Sequence, residues 1–290
     1  MRRLLLVPLL ALAAVTATVF ASLAPAASAS AAQAASAAPA AVTASVALPN
    51  SMASTGDSIT RSFNATTSGC FLSDCPQYSW STGTSTVTSH YQRILAANPQ
   101  ISGNVFNDAK TGAKMAALDA QMKTAASQGA QYVTVMMGAN DVCTSSRATM
   151  TPTATLQSQF QTALGNFFAA RPNSQVFVSS IPNIYQLWAV LHTNSSARNA
   201  WSSFGICQSM LSSSNTEADR QAVLTQEKND NAALASVCAQ YVNCKWDNLA
   251  TFNYQFTASD VSRIDYFHPS VSGQSRLAGT TWSAGFWPGV

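Results

Sequence analysis

Tyr132-Val133-Thr134-Val135-Met136-Met137 is β-branched or apolar at every position, with no polar parity along an extended chain. A strand with one wet face alternates apolar and polar side chains, whereas a strand covered on both faces does not. The stretch Gln131 to Met137 therefore reads as an interior strand of a sheet buried on both sides. Outward from it the same kind of run recurs at Val46 to Thr55, Asn104 to Asn107 and Gln175 to Ile181. Helical spacing separates these runs. Met115, Leu118, Met122 and Ala126 share one face of Ala113 to Ala126, and Leu156, Phe160, Leu164, Phe167 and Phe168 line Thr155 to Ala170. Thr216 to Tyr241 and Val271 to Trp282 also read as helices. Strands alternating with helices predict an α/β fold, a parallel sheet with helices on both faces. Sites in such folds gather beyond the carboxyl ends of the strands.

Polar motifs stand at those ends. Gly138-Ala139-Asn140-Asp141 follows the interior strand directly, where an asparagine can aim its amide N–H into a shared crevice. Gly, Asn and Asp also favour turns, and a turn alone would account for them. Gly56-Asp57-Ser58-Ile59-Thr60 follows the first strand-like run; a serine at a strand-to-helix turn stands clear of the sheet beside backbone N–H groups. Asn107 to Ala113 runs from a strand end into a helix, and Gly112 there permits close backbone approach. Near the other end, Asp265-Tyr266-Phe267-His268-Pro269 sets an acid three residues before a histidine. On a tight turn that acid accepts the Nδ1–H and leaves Nε2 free to face a nucleophile. The alternative is a surface acid and a histidine ahead of a helix that Pro269 begins. His90 and His192 have no such neighbour and read as ordinary surface or groove residues. The order Ser, Asp, His is one that serine hydrolases on α/β sheets use.

These blocks resemble those of the secreted GDSL/SGNH family of hydrolases, and the chain is similar to its actinobacterial esterase and lipase members. The resemblance covers essentially the whole of the chain after its leader. It implies a three-layer, flavodoxin-like α/β/α fold with a parallel sheet of about five strands. It implies Ser58 as nucleophile, His268 as base and Asp265 as its orienting acid. The oxyanion hole it implies consists of the N–H groups of Ser58 and Gly112 and the side-chain amide of Asn140. Ile59 stands where the family name has leucine, a change of similar bulk. Ser58 lacks the flanking glycines of a Gly-x-Ser-x-Gly elbow, which argues against the ordinary α/β-hydrolase fold. Asp57 and Asp141 read as acceptors that hold their loops. The activity implied is hydrolysis of carboxylic esters of lipids, lysophospholipids or short acyl groups through an acyl-enzyme. Deacetylation of carbohydrate is the alternative within the family, and an exported binding protein on an inactive scaffold is the alternative outside it.

Composition bounds the rest. Met1-Arg2-Arg3, the apolar run Leu4 to Leu23 and Ala27-Ser28-Ala29 predict a secretory signal peptide over residues 1–29. Residues 30–43, almost wholly Ala, Ser, Gln and Pro, read as a flexible leader, and 44–290 as one hydrolase domain. The chain carries 15 Lys and Arg against 12 Asp and Glu, a formal charge of +3 that falls to +1 (13 minus 12) without Arg2 and Arg3. That balance excludes nucleic acid as the main partner. The expected partner is a small-molecule or lipid ester, with at most transient contact with a lipid interface, and the protein is expected to act as an extracellular monomer. Scattered histidines and the absence of CxxC speak against a metal, and no cofactor is expected. Six cysteines in an exported chain imply disulfides. Closeness in sequence favours Cys70–Cys75 and Cys238–Cys244, which leaves Cys143–Cys207. The last would tie the Asn140 loop to Asn183 to Met210, a segment rich in large apolar residues that reads equally as a core helix or as the wall of a substrate groove.

Overall fold

The computed structural model describes residues 46–290. The expected signal peptide and leader, 1–29 and 30–43, lie outside the described residues. Five parallel strands form one sheet in the order β2-β1-β3-β4-β5: β1 Met52–Gly56, β2 Val105–Asn107, β3 Tyr132–Met136, β4 Gln175–Val178 and β5 Cys244–Trp246. This is the flavodoxin-like order. In register, Met52 faces Tyr132, Gly56 faces Met136, and Val135 faces Val178. Every residue of β1 and of β3 is buried, as expected of interior strands of a covered sheet.

Among the described residues ten α-helices accompany the strands: α1 His90–Ala97, α2 Leu118–Ser127, α3 Ala139–Val142, α4 Thr153–Ala170, α5 Ile184–Leu191, α6 Ser195–Ser203, α7 Gln208–Leu211, α8 Glu217–Cys238, α9 Ala250–Asn253 and α10 Val271–Ser283. Strand alternation divides them into layers. Thr55 meets Met122 of α2, and α2, α4 and α8 pack side by side on that face. Tyr132 and Phe177, on the opposite parity, meet His90 of α1, which in turn packs edge-on against Trp282 of α10. The three layers match the fold expected from the sequence.

Two details differ. The first strand begins at Met52 rather than Val46, because Pro49 and Asn50 interrupt the extended run before the sheet starts. His90 is not a surface or groove residue but fully buried. Its Nδ1 pairs with Tyr132 Oη and its Nε2 with Thr281 Oγ1, each at 2.8 Å. With both ring nitrogens satisfied by neutral partners the imidazole is stable uncharged, and burial depresses its pKa to about 3. His192, in contrast, lies partly exposed just after α5, stacked on Trp188.

All three disulfides favoured by the sequence are present: Cys70–Cys75, Cys143–Cys207 and Cys238–Cys244. Among the described residues no helix is long and apolar enough to cross a membrane.

Candidate active site

Ser58 enters the site because β1 ends abruptly. Gly56 adopts φ +148°, and a Cβ there would collide with the Met136 carbonyl and with Thr60. Only glycine lets the chain turn so close to β3. The Gln121 side chain of α2 fixes that turn from below, accepting from Gly56 N at 2.7 Å and donating to Gly56 O at 2.9 Å. From the other layer, Gln274 of α10 donates to Ile59 O at 2.7 Å. Asp57 is buried beneath the turn and accepts Ile59 N–H at 2.9 Å.

Ser58 and His268 meet across the sheet end. Ser58 Oγ lies 2.8 Å from His268 Nε2, and His268 Nδ1 lies 2.7 Å from Asp265 Oδ2. Asp265 Oδ1 accepts two backbone N–H groups, Phe267 at 2.9 Å and His268 at 3.0 Å. The short Asp-x-x-His spacing thus folds into a turn that binds its own carboxylate. Burial would raise the Asp265 pKa, but the hydrogen bonds from His268, Asn64 and Phe267 and the nearby His268 charge outweigh it and hold the carboxyl below its ordinary value. The imidazole is flanked by Phe63 and Phe267, both with ring centroids 5.1 Å away. Elsewhere the loop is pinned by Ser262 N donating to His268 O at 2.8 Å and by Trp201 Nε1 donating to Tyr266 O at 2.9 Å.

Asn140 sits in the first turn of α3. Gly138 begins that turn at φ +122°, where a side chain would strike Ile181. Asn140 Nδ2 donates to Ala113 O at 3.0 Å, which sets the amide against the loop that carries Gly112. The second hydrogen of that amide has no acceptor among the described residues. Gly112 lies in an exposed turn at φ +78°. Neither its N–H nor that of Ser58 has an acceptor among the described residues. The Cys143–Cys207 bond follows directly, and Ser209 reinforces it by donating to Val142 O at 2.6 Å.

Asn183 to Met210 divides between the two roles that its sequence left open. Asn183 caps α5, whose Ile184, Leu187 and Val190 wall a crevice. Ile59, Ala139 and Phe267, the sequence neighbours of Ser58, Asn140 and His268, line the same crevice. Trp201 and Met210, in contrast, are core residues.

A row of acids lies behind the site. Asp57, Asp141, Asp230 and Glu227 are all buried. Burial lifts Asp57 and Asp230 to about 6 and raises Asp141 and, still further, Glu227 above their ordinary values. Asp141 accepts Met115 N–H at 2.8 Å and Glu227 accepts Ile184 N–H at 3.2 Å, so these acids hold loops, as expected for Asp57 and Asp141. Sequence reading missed Asn64, Gln121, Trp201, Gln274 and Glu227. None belongs to a motif, and each acts on backbone or side chains far away in the chain, which leaves no local signal.

A family model described as the GDSL-like Lipase/Acylhydrolase family matches residues 55–276. Among solved structures, one described as a GDSL-like lipase from Parabacteroides merdae is similar over 80% of this chain and 94% of its own, at 13% identity and a TM-score of 0.50. An extracellular lipase from Streptomyces rimosus is similar over 81% of this chain and 99% of its own, at 17% identity and a TM-score of 0.43. A family 3 carbohydrate esterase from Clostridium thermocellum is similar over 80% and 93% respectively, at 12% identity and a TM-score of 0.44. The first of these likenesses bears on the fold and on nothing finer. No curated protein matches the chain.

Proposed function

The chain belongs to the GDSL-like lipase/acylhydrolase family, and from that premise we propose that it is a secreted serine esterase acting on acyl esters through Ser58, His268 and Asp265. The observation that carries this reading is the continuous contact Ser58 Oγ to His268 Nε2 to Asp265, at 2.8 and 2.7 Å. In the forward step His268 Nε2 takes the hydroxyl proton as Ser58 Oγ bonds to the ester carbonyl carbon. Asp265, kept ionised by its four donors, holds the Nδ1–H tautomer and stabilises the imidazolium. The carbonyl oxygen becomes an oxyanion that takes hydrogen bonds from Ser58 N, Gly112 N and the free amide hydrogen of Asn140. His268 then gives its proton to the leaving alcohol, and water hydrolyses the acyl-Ser58 ester by the same steps in reverse roles. A donor of this kind contributes ~3–4 kcal/mol of transition-state stabilisation.

The substrate reading rests on the crevice. Its lining includes the sequence neighbours of Ser58, Asn140 and His268, and its walls are chiefly apolar side chains, which suits the acyl chain of a lipid or lysophospholipid ester. Three disulfides support an oxidising, extracellular location.

The test is labelling by a fluorophosphonate probe, with release of fatty acid and of acetate measured over a panel of lipid and acetylated sugar esters. Labelling of the wild type and its loss in Ser58→Ala are expected, with fatty acid as the main product. Acetate alone would move the assignment to carbohydrate deacetylation, and a folded wild type that neither labels nor turns over would sink the enzyme reading.

A further inference from the structure

One side chain reaches the Asp265–His268 pair from a distant part of the chain. Asn64 is 1% exposed and holds a left-handed backbone at φ +56°. Its Nδ2 donates to Asp265 Oδ2 at 2.5 Å, the same oxygen that receives His268 Nδ1–H. Its Oδ1 accepts Leu72 N–H at 2.7 Å, which fixes the amide with its nitrogen toward the carboxylate. The backbone is equally committed: Asn64 N–H donates to Ser73 O at 3.1 Å, and Asn64 O accepts Ser262 Oγ–H at 2.6 Å. One residue therefore joins the nucleophile loop, the Cys70–Cys75 loop and the Asp265 loop, with all four of its polar groups paired.

We propose that Asn64 is a positioning residue for the Asp265–His268 pair, held in place by the disulfide-closed Cys70–Cys75 loop. The inference rests on the assignment of Ser58, His268 and Asp265 as the reacting centre. Two backbone donors grip Asp265 Oδ1, and Asn64 and His268 share Oδ2. Rotation of the carboxylate about Cβ–Cγ would break bonds at both oxygens, so the direction in which it presents Oδ2 to the imidazole is fixed. Of the four donors, Asn64 is the only one outside the Asp265–His268 turn. It thus makes the orientation of the base depend on how the nucleophile loop is folded. Arg61 adds to the clamp by pairing with Asp74 at 2.9 Å within the same disulfide loop.

The deciding variant is Asn64→Asp. Aspartate has nearly the shape of asparagine, tolerates a left-handed backbone and keeps an acceptor for Leu72 N–H. It differs by setting a carboxylate oxygen, rather than a donor, against Asp265. Near pH 8, kcat for ester hydrolysis should fall ~10-fold or more while KM stays within about twofold. The gap to wild type should narrow toward about pH 5, where a proton shared by the two carboxyls restores a donor between them. Asn64→Gly keeps the backbone conformation and removes both side-chain bonds. It should lose kcat to a similar degree, with a gap that does not change with pH. A role in loop folding alone predicts otherwise: a lower Tm for Asn64→Asp with kcat within about twofold of wild type and an unchanged pH profile. That result would overturn the proposal. If Asn64→Asp gives no cooperative thermal transition, a wild-type kcat in Asn64→Gly overturns it as well. A wild type without hydrolysis or probe labelling refutes the assignment of the site itself, whereas an active wild type with indifferent Asn64 variants refutes only the positioning role.

Discussion

Asp57 precedes Ser58 in the chain and Asp265 bonds to His268, both almost wholly buried, yet they respond to burial in opposite ways. Asp265 receives four hydrogen bonds and is held below its ordinary pKa. Asp57 receives a single one, from Ile59 N–H, and its Oδ2 has no donor among the described residues; burial raises it to about 6. Burial by itself therefore does not decide the charge of a carboxyl at this site; the number of donors aimed at it does. The histidine side holds an ionised acid, and the Ser58 side sets its loop with acids that carry their charge at a cost.

Neutralising the two acids separates these roles most sharply. Asp265→Asn keeps the shape but turns an acceptor into a donor facing His268 Nδ1, which favours the wrong tautomer. A fall in kcat of ~10³–10⁴-fold is expected from steady-state ester hydrolysis. Asp57→Asn should leave most of the turnover, because Asn Oδ1 can still accept Ile59 N–H. Comparable losses in the two variants would erase the contrast.

Stability should respond to pH in opposite directions at the two acids. A folded-state pKa raised from 3.8 to about 6 means that Asp57 supports the fold fully below about pH 4 and loses that support as pH rises through 6. Asp265, held low, supports the fold above about pH 4 and loses that support only as pH falls through its depressed value. Urea unfolding of Asp57→Asn and wild type near pH 4 and pH 7.5 should then show the difference moving toward the variant by on the order of 3 kcal/mol. A difference that stays constant across this range would mean that Asp57 titrates as it does in the unfolded chain.

How much of this could be read from the sequence follows the same division. The sheet was legible because β3 and most of β4 are apolar or β-branched runs without polar alternation, a signal carried by many residues that survives the loss of any one of them. β5, Cys244–Trp246, was not located, since three residues ending a partly exposed edge carry no period. Asp265 and His268 were legible because their geometry is local, an acid and a base on one turn. Asn64, Gln121, Gln274 and Trp201 were not, because each contributes one hydrogen bond or two across a long stretch of chain. His90 was misplaced for a related reason: a lone histidine at a helix start gives no hint that Tyr132 and Thr281 will satisfy both of its nitrogens in the core.

Trp201 offers the finest test of the contrast, because it acts on the histidine side without touching either acid. Its indole Nε1 donates to Tyr266 O, and Tyr266 stands in the left-handed region at φ +55° between Asp265 and Phe267. A tyrosine avoids that conformation unless its surroundings hold it there. Trp201 is 1% exposed, so Trp201→Phe keeps most of the packing and removes the one donor. The orphaned carbonyl should cost ~1–2 kcal/mol, read as a lower Tm. Relaxation of the turn should also let the imidazole drift from Ser58, lowering kcat a few-fold with KM little changed. A drop in Tm without any change in kcat would mean that the Asp265–His268 turn holds its geometry by its own hydrogen bonds, and that the α6 segment serves only to cover it.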